Sequence, residues 1–255
     1  RRNKDLEDLT NQNIKFNFSN QMLVSISEAI KVSTEKKNKK KDNDTFYWSE
    51  GSLGFGTIFE TNSASKKKLT TNGLTFGADM FDKNGGIKGL AFRLGKNEVN
   101  VGFSGGDLDT DTYNLTYYST SPLKKDNRYL DTIIGVGVLK SDITNILDGN
   151  RLHGDRNGKQ IYGTLKLKNE IKKGEVTFIP AGQLDLGYTL LDRYSESGNT
   201  AMRFEDQSIQ SKNVRLSVAA FDQLQRDKYN IRRHQKLEYK VDFDRSSNVK
   251  YSYIS

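Results

Sequence analysis

Between Trp48 and Met80 the chain alternates. In LTTNGLTFGADM, Leu74, Phe76, Ala78 and Met80 fall on one parity and Gly73, Thr75, Gly77 and Asp79 on the other. Upstream, in WSEGSLGFGTIFE, Leu53 and Phe55 alternate with Ser52, Gly54 and Gly56. A period of two belongs to a strand, because successive side chains point to opposite faces. The two arms therefore pair as a hairpin with one apolar face and one small or acidic face.

The same alternation recurs to the end of the chain. Leu90, Phe92 and Leu94 carry it, then Tyr113, Leu115 and Tyr117, then Leu130, Ile134, Val136 and Val138. It continues through Ile161, Leu165 and Leu167, then Leu184, Leu186 and Tyr188, then Val214, Leu216 and Val218, then Leu237, Tyr239 and Val241. A further strand opens at Val249, with Tyr251 and Tyr253 on the apolar parity. The reading is nine strands and part of a tenth.

The other parity carries full charges in mid-strand: Glu50, Asp79, Arg93, Asp131, Lys166, Asp185, Arg215 and Glu238. Charges at this density do not form a dry core. Their face meets water, either outside a soluble sheet or inside a wide barrel. The links between strands favour the barrel. DKNGG, SPLKKDN, IKKGE and QLQRDKYN are short, whereas residues 96–111, 141–159 and 192–212 read as long loops. Short turns at one end and long loops at the other are the habit of an outer-membrane meander. Aromatic residues near strand ends, among them Tyr47, Trp48, Tyr129 and Tyr188, suit a membrane interface.

Composition agrees. Two prolines against 12 tyrosines and 13 phenylalanines suit long strands. The absence of cysteine excludes disulfide scaffolds and thiolate chemistry from this chain. No apolar run approaches the ~20 residues of a membrane helix, which leaves a barrel open, since its lipid face hides in alternate positions. The net charge of +8 resides largely in runs, Lys36 to Lys41 and Lys66 to Lys68, between strand patterns. No basic stripe interleaved with stacking aromatics accompanies them, so nucleic acid is not an expected partner. Met22, Leu23, Ile26, Ala29 and Ile30 recur at helical spacing and predict a short helix over residues 19–33.

The order and spacing of GSLGFG, GLTFGADMF, GLAFRLGKNEVNVG, LDTDTYNLTYYST, YLDTIIGVGVLKSDI, NGKQIYGTLKLKNE and LDLGYTLLDRYSESG resemble the β-domain of autotransporters, the type V secretion proteins of Gram-negative bacteria. The resemblance spans residues 48–255. It implies an antiparallel up-and-down transmembrane β-barrel of twelve strands in the outer membrane, a helix or linker threading its pore, and a passenger domain upstream that reaches the cell surface. It also implies dealings with outer-membrane lipid and lipopolysaccharide, the barrel-assembly machinery and periplasmic chaperones. Residues 1–46 then form a polar segment and linker, and residues 47–255 the barrel. Nine strands and part of a tenth fall short of twelve, so the barrel is expected to be incomplete at its C-terminus.

No catalytic, cofactor or metal constellation competes with this reading. Asp107, Asp109 and Asp111 look like the start of a calcium loop, but Thr112 and Tyr118 stand where such a loop needs Gly and Glu. The two histidines, His153 and His234, have no evident partners for nucleophilic catalysis. Two alternatives stay open: a barrel serving as a pore or surface adhesin without secretion, and a soluble β-sandwich binding module. Lys66 to Lys68, Arg151 and Arg156 are expected on the outer side, where they could meet anionic lipopolysaccharide.

Overall fold

The computed structural model describes residues 45–59, 66–83, 85–101, 106–123, 127–147, 149–198, 200–226, 229–243 and 249–254. The helix expected over residues 19–33 lies outside the described residues. The described chain is almost entirely strand: β1 Thr45–Ile58, β2 Lys67–Phe81, β3 Ile87–Val101, β4 Gly106–Pro122, β5 Arg128–Leu147, β6 Asn150–Asn169, β7 Ile171–Lys173, β8 Val176–Leu191, β9 Tyr194–Ser195, β10 Met202–Phe204, β11 Gln207–Arg226, β12 Tyr229–Asp242 and β13 Tyr251–Tyr253.

Nine strands lie side by side in chain order, β1, β2, β3, β4, β5, β6, β8, β11 and β12, with β7 joined to β8. Every neighbouring pair is antiparallel, as short connections require. The register keeps the parities matched: Leu74 stands opposite Leu94, Phe76 opposite Phe92, and Val214 opposite Leu184. A slip of one residue would move every apolar side chain to the wrong face, so the alternation itself selects this register.

One parity is buried and the other open, although among the described residues only the small strands β9, β10 and β13 pack against the sheet, at one end of its buried face. Asp79, Arg93, Thr116 and Asp185 are buried, while Leu90, Leu115, Ile134 and Leu165 on the opposite parity are exposed. The sheet achieves this by curling, so that the charged, glycine-dotted parity lines its inner face. Apolar side chains on an outer face have a satisfactory solvent only in lipid. The sheet path ends at β1 and at β12, with no pairing between those two strands among the described residues.

The strands are longer than the sequence patterns suggested. β5, β6 and β11 each span 20 residues, against the ~10 needed to cross a bilayer. Residues 96–111 and 141–159, read as long loops, are mostly strand. Only 102–105 separate β3 from β4, and β5 meets β6 where Leu147 pairs with Asn150, Gly149 turning at φ 80°. A glycine takes that left-handed conformation without steric penalty.

The loop reading failed because the apolar parity changes sides. Along β3 the outer face runs Leu90, Phe92, Leu94 and then Lys96, Glu98, Asn100, while Val99 and Val101 turn inward. Leu108 on β4, Ile143 on β5, Leu152 on β6, Leu191 on β8 and Ile209 on β11 are buried on the inner parity in the same way. Beyond the apolar band the sheet therefore continues as a water-soluble collar, polar outside and apolar within. In β5, β6 and β11 about ten extra residues carry it roughly 20 Å past the band once strand tilt is allowed for.

Three further strands stand apart from the wall. β9, β10 and β13 form a sheet of their own in the order β13, β10, β9. The strand expected from Val249 is thus present, but it pairs with β10, Met202 opposite Tyr253, rather than extending the wall after β12.

Candidate functional site: the charged inner face

All eight charged positions singled out in the sequence occupy the inner parity. Glu50 stands on β1, Asp79 on β2, Arg93 on β3, Asp131 on β5, Lys166 on β6, Asp185 on β8, Arg215 on β11 and Glu238 on β12. The curl brings them into three groups.

The first centres on Asp79, only 1% exposed. Trp48 Nε1 donates to its carboxylate at 2.6 Å and to Tyr118 Oη at 3.0 Å. The Tyr118 hydroxyl donates to the same Asp79 oxygen. These donors come from β1 and β4, so one carboxylate on β2 ties three strands together.

In the second group Arg93, 2% exposed, donates to Thr75 Oγ1 at 2.9 Å and to Ser52 Oγ at 2.7 Å. Glu50 is close enough to act on it electrostatically. The guanidinium lies over Gly73, where any side chain would collide with it.

Ion pairs and hydrogen bonds across β5, β6, β8, β11 and β12 make the third group. Asp131 stands opposite Lys166 and pairs with Lys168 at 3.1 Å. Asp185 accepts from Thr164 at 2.7 Å and Gln183 at 2.8 Å, and pairs with Arg215 at 2.9 Å. Arg215 reaches Glu238 at 3.7 Å, and Lys236 pairs with the same glutamate. Opposite charges facing each other across strands stabilise the pairing, and a buried charge that lost its partner would carry a far larger penalty.

Sequence reasoning missed the aromatic partners. Trp48, Tyr118 and Tyr162 share the inner parity and stand directly opposite Gly77, Gly89 and Gly135 respectively. Each ring fills the space that a Cβ on its glycine would need. With Ala91 and Ile133 they pack into one apolar cluster inside the wall. Tyr162 also shares a hydrogen bond of 2.6 Å with Thr116 Oγ1. The signal was available, since each aromatic sits on a parity otherwise small or charged.

Two basic residues expected to face outward do not. Arg156 is 3% exposed on the inner parity of β6, and Lys67 is 2% exposed on that of β2, whereas Lys66, Lys68 and Arg151 are exposed. Asp107, Asp109 and Asp111 lie on the outer parity of β4, opposite Asn100, Glu98 and Lys96. His153 is exposed on β6 beside Thr144, at 3.2 Å. Among the described residues no group of three or more His, Asp or Glu side chains is arranged to hold a metal ion.

Two solved structures share the architecture. The translocator domain of autotransporter NalP from Neisseria meningitidis superposes with a TM-score of 0.68 at 12% identity, over 89% of this chain and 83% of that one. The β-domain of the Bordetella autotransporter BrkA gives a TM-score of 0.51 at 15% identity, over 83% of this chain and 97% of that one. Sequence comparison with curated proteins gives no significant match. A family model described as the autotransporter β-domain matches residues 47–255. The curled sheet with an apolar outside and a charged inside, taken with that match, means that the chain belongs to the autotransporter β-domain family and is an outer-membrane translocator of Gram-negative type.

Proposed function

We propose that the inner face is the wall of the route by which the passenger leaves the cell. The observation that carries this reading is the charged face itself. Its charges are of both signs, and Asp131, Asp185 and Glu238 are paired with cations, so the surface is polar yet offers no concentrated charge of one sign. An unfolded polypeptide can slide along such a wall without being held by it. The glycines under Trp48, Tyr118 and Tyr162 keep the aromatic rings against the wall and out of the lumen.

The collar faces the cell exterior in this reading, and the short links 82–86, 123–127 and 170–175 face the periplasm. Lys66, Lys68 and Arg151 then lie at the outer surface, where they suit the phosphates of lipopolysaccharide. The barrel-assembly machinery and periplasmic chaperones deliver the domain. The edges of β1 and β12 are closed in the membrane, because an open edge in lipid leaves backbone groups unsatisfied. The work is mechanical, with no bond chemistry.

The test is a lining with fewer charges. Replacing Lys166 by Met and Glu238 by Gln thins the charge of the third group while leaving the Asp185 to Arg215 pair in place. Surface appearance of the passenger, followed by protease shaving of intact cells, is expected to slow while the barrel itself inserts normally. Unchanged display in an inserted barrel would show that the inner charges serve the fold alone.

A further inference from the structure

The collar is not empty. Leu69 of β2, Val99 and Val101 of β3, Leu108 of β4 and Ile143 of β5 meet Tyr194, Met202 and Phe204 in one buried cluster, with Val249 packed against it. The last four residues come from the loop after β8 and from the segment after β12. Tyr194 and Phe204 stack at 4.6 Å with nearly parallel rings, and Tyr251 lies 6.1 Å from Phe204. On the next strand the Tyr194 ring rests on Gly154 of β6, 2.6 Å from where a Cβ would stand. The small sheet of β9, β10 and β13 therefore lies against the inner face of the collar from β2 to β6.

The buried cation of Arg156 clamps it there. Arg156 of β6 donates from Nε to Asp192 O at 2.8 Å, from Nη1 to Gln207 Oε1 at 3.1 Å and from Nη2 to Glu205 O at 3.2 Å. It thereby holds both ends of the loop that carries β9 and β10, and its guanidinium sits 5.3 Å from the centre of the Tyr194 ring. Glu196, buried within the loop, accepts from Asn145 of β5 at 2.6 Å and from the Met202 backbone N–H at 3.1 Å. Ser197 adds a backbone hydrogen bond to His153 O at 2.7 Å.

We propose that β9, β10 and β13 are a stopper, docked by Arg156, that closes the collar end of the lumen. The inference rests on the export reading only for its purpose, since a chain crossing the collar and the docked stopper would occupy the same space. Export then proceeds with the stopper undocked, and docking seals the mouth at rest. Apolar contacts supply the affinity and the Arg156 hydrogen bonds supply the latch. A latch of a few charge-assisted hydrogen bonds is weak enough to be opened by a passing chain.

Thiol labelling tests this in the complete protein, with any cysteine outside these 255 residues replaced by serine, since the 255 themselves contain none. Asn97, 1% exposed on the inner face of β3 just below Val99, is replaced by Cys, and intact cells are treated with a membrane-impermeant maleimide. With Arg156 present, Asn97→Cys is expected to react at least about tenfold more slowly than the exposed control Arg151→Cys, and Arg156→Ala to speed it by about tenfold. Tyr194→Ala with Phe204→Ala is the second opening variant, should Arg156→Ala fail to give a heat-modifiable barrel. Labelling of Asn97→Cys as fast as the control, or a rate that neither opening variant changes in a heat-modifiable barrel, overturns the stopper. Passenger display on the same cells is scored separately: its absence with a protected thiol defeats the export reading and leaves the stopper standing.

Discussion

Trp48 occupies the place of a side chain that Gly77 does not have. The two residues face each other across β1 and β2, and the indole fills the volume above the glycine while its N–H reaches Asp79 at 2.6 Å. A bulky ring can lie against the wall only because its cross-strand partner is glycine, and the ring's hydrogen bond then serves a carboxylate two residues further along β2. Tyr162 and Gly135 repeat the arrangement between β5 and β6.

Gly77→Ala and Gly135→Ala should therefore each force a ring off its seat. The expected cost is about 1–3 kcal/mol, the range for overpacking a filled site. The check is the temperature at which the barrel loses its compact, heat-modifiable form. Gly51→Ala, on the outer parity with open space around it, is the control and should change little.

The Asp185 to Arg215 pair should be sensitive to removal of one partner. Arg215→Met leaves a carboxylate that is 1% exposed with only Thr164 and Gln183 to serve it. A loss of about 3–5 kcal/mol is expected from breaking a buried pair in this way. Urea unfolding of the barrel in detergent measures it, and Arg215→Met with Asp185→Asn together should cost less than Arg215→Met alone.

The edge of the apolar band can be located on one strand. Leu115 and Asp109 share the outer parity of β4, three steps of that parity apart. Leu115→Arg places a cation against lipid and should cost about 2–4 kcal/mol, whereas Asp109→Arg in the collar should stay within about 0.5 kcal/mol. Equal effects in lipid vesicles would mean that the band extends further than the change of parity indicates.

In the collar, Asp142 on β5 faces Asp155 on β6. The hydrogen bond that the two acids share, then burial, then the like charge of Asp155 hold the Asp142 carboxyl above its ordinary value. A raised carboxyl contributes stability that is fully present below the ordinary carboxylate range and is lost as pH rises through the raised value. Asp142→Asn, which mimics the protonated acid, should therefore raise the melting temperature at pH 7 and leave it unchanged near pH 3.5. The gain is small, under about 0.5 kcal/mol after screening by water.

How much of this was legible in the sequence follows from which signal each element depends on. The wall was legible because Leu74, Phe76, Leu90 and Phe92 alternate with Thr75, Gly77, Ala91 and Arg93, and period two needs no long-range information. The charged parity of Asp79, Arg93 and Asp185 is part of the same alternation. The collar was not legible as strand, because Leu94 and Val99 stand on opposite parities and a search for one continuous apolar face stops at Lys96. Counting apolar residues on both parities separately would have found Val99, Val101 and Leu108. The aromatic seats required knowing that Trp48 stands opposite Gly77, which is a fact of register. The latch required a contact between β6 and a loop more than thirty residues on, and nothing local to Arg156 announces it.

The central claim is that this chain is the wall of an outer-membrane export route. Its most direct test is to express the complete gene product in a Gram-negative host, fractionate the membranes, and combine a heat-modifiability gel with protease shaving of intact cells. The account predicts a heat-modifiable species in the outer membrane and an upstream fragment released from the cell surface. A product that stays in solution without detergent and shows no heat-modifiable form would contradict it.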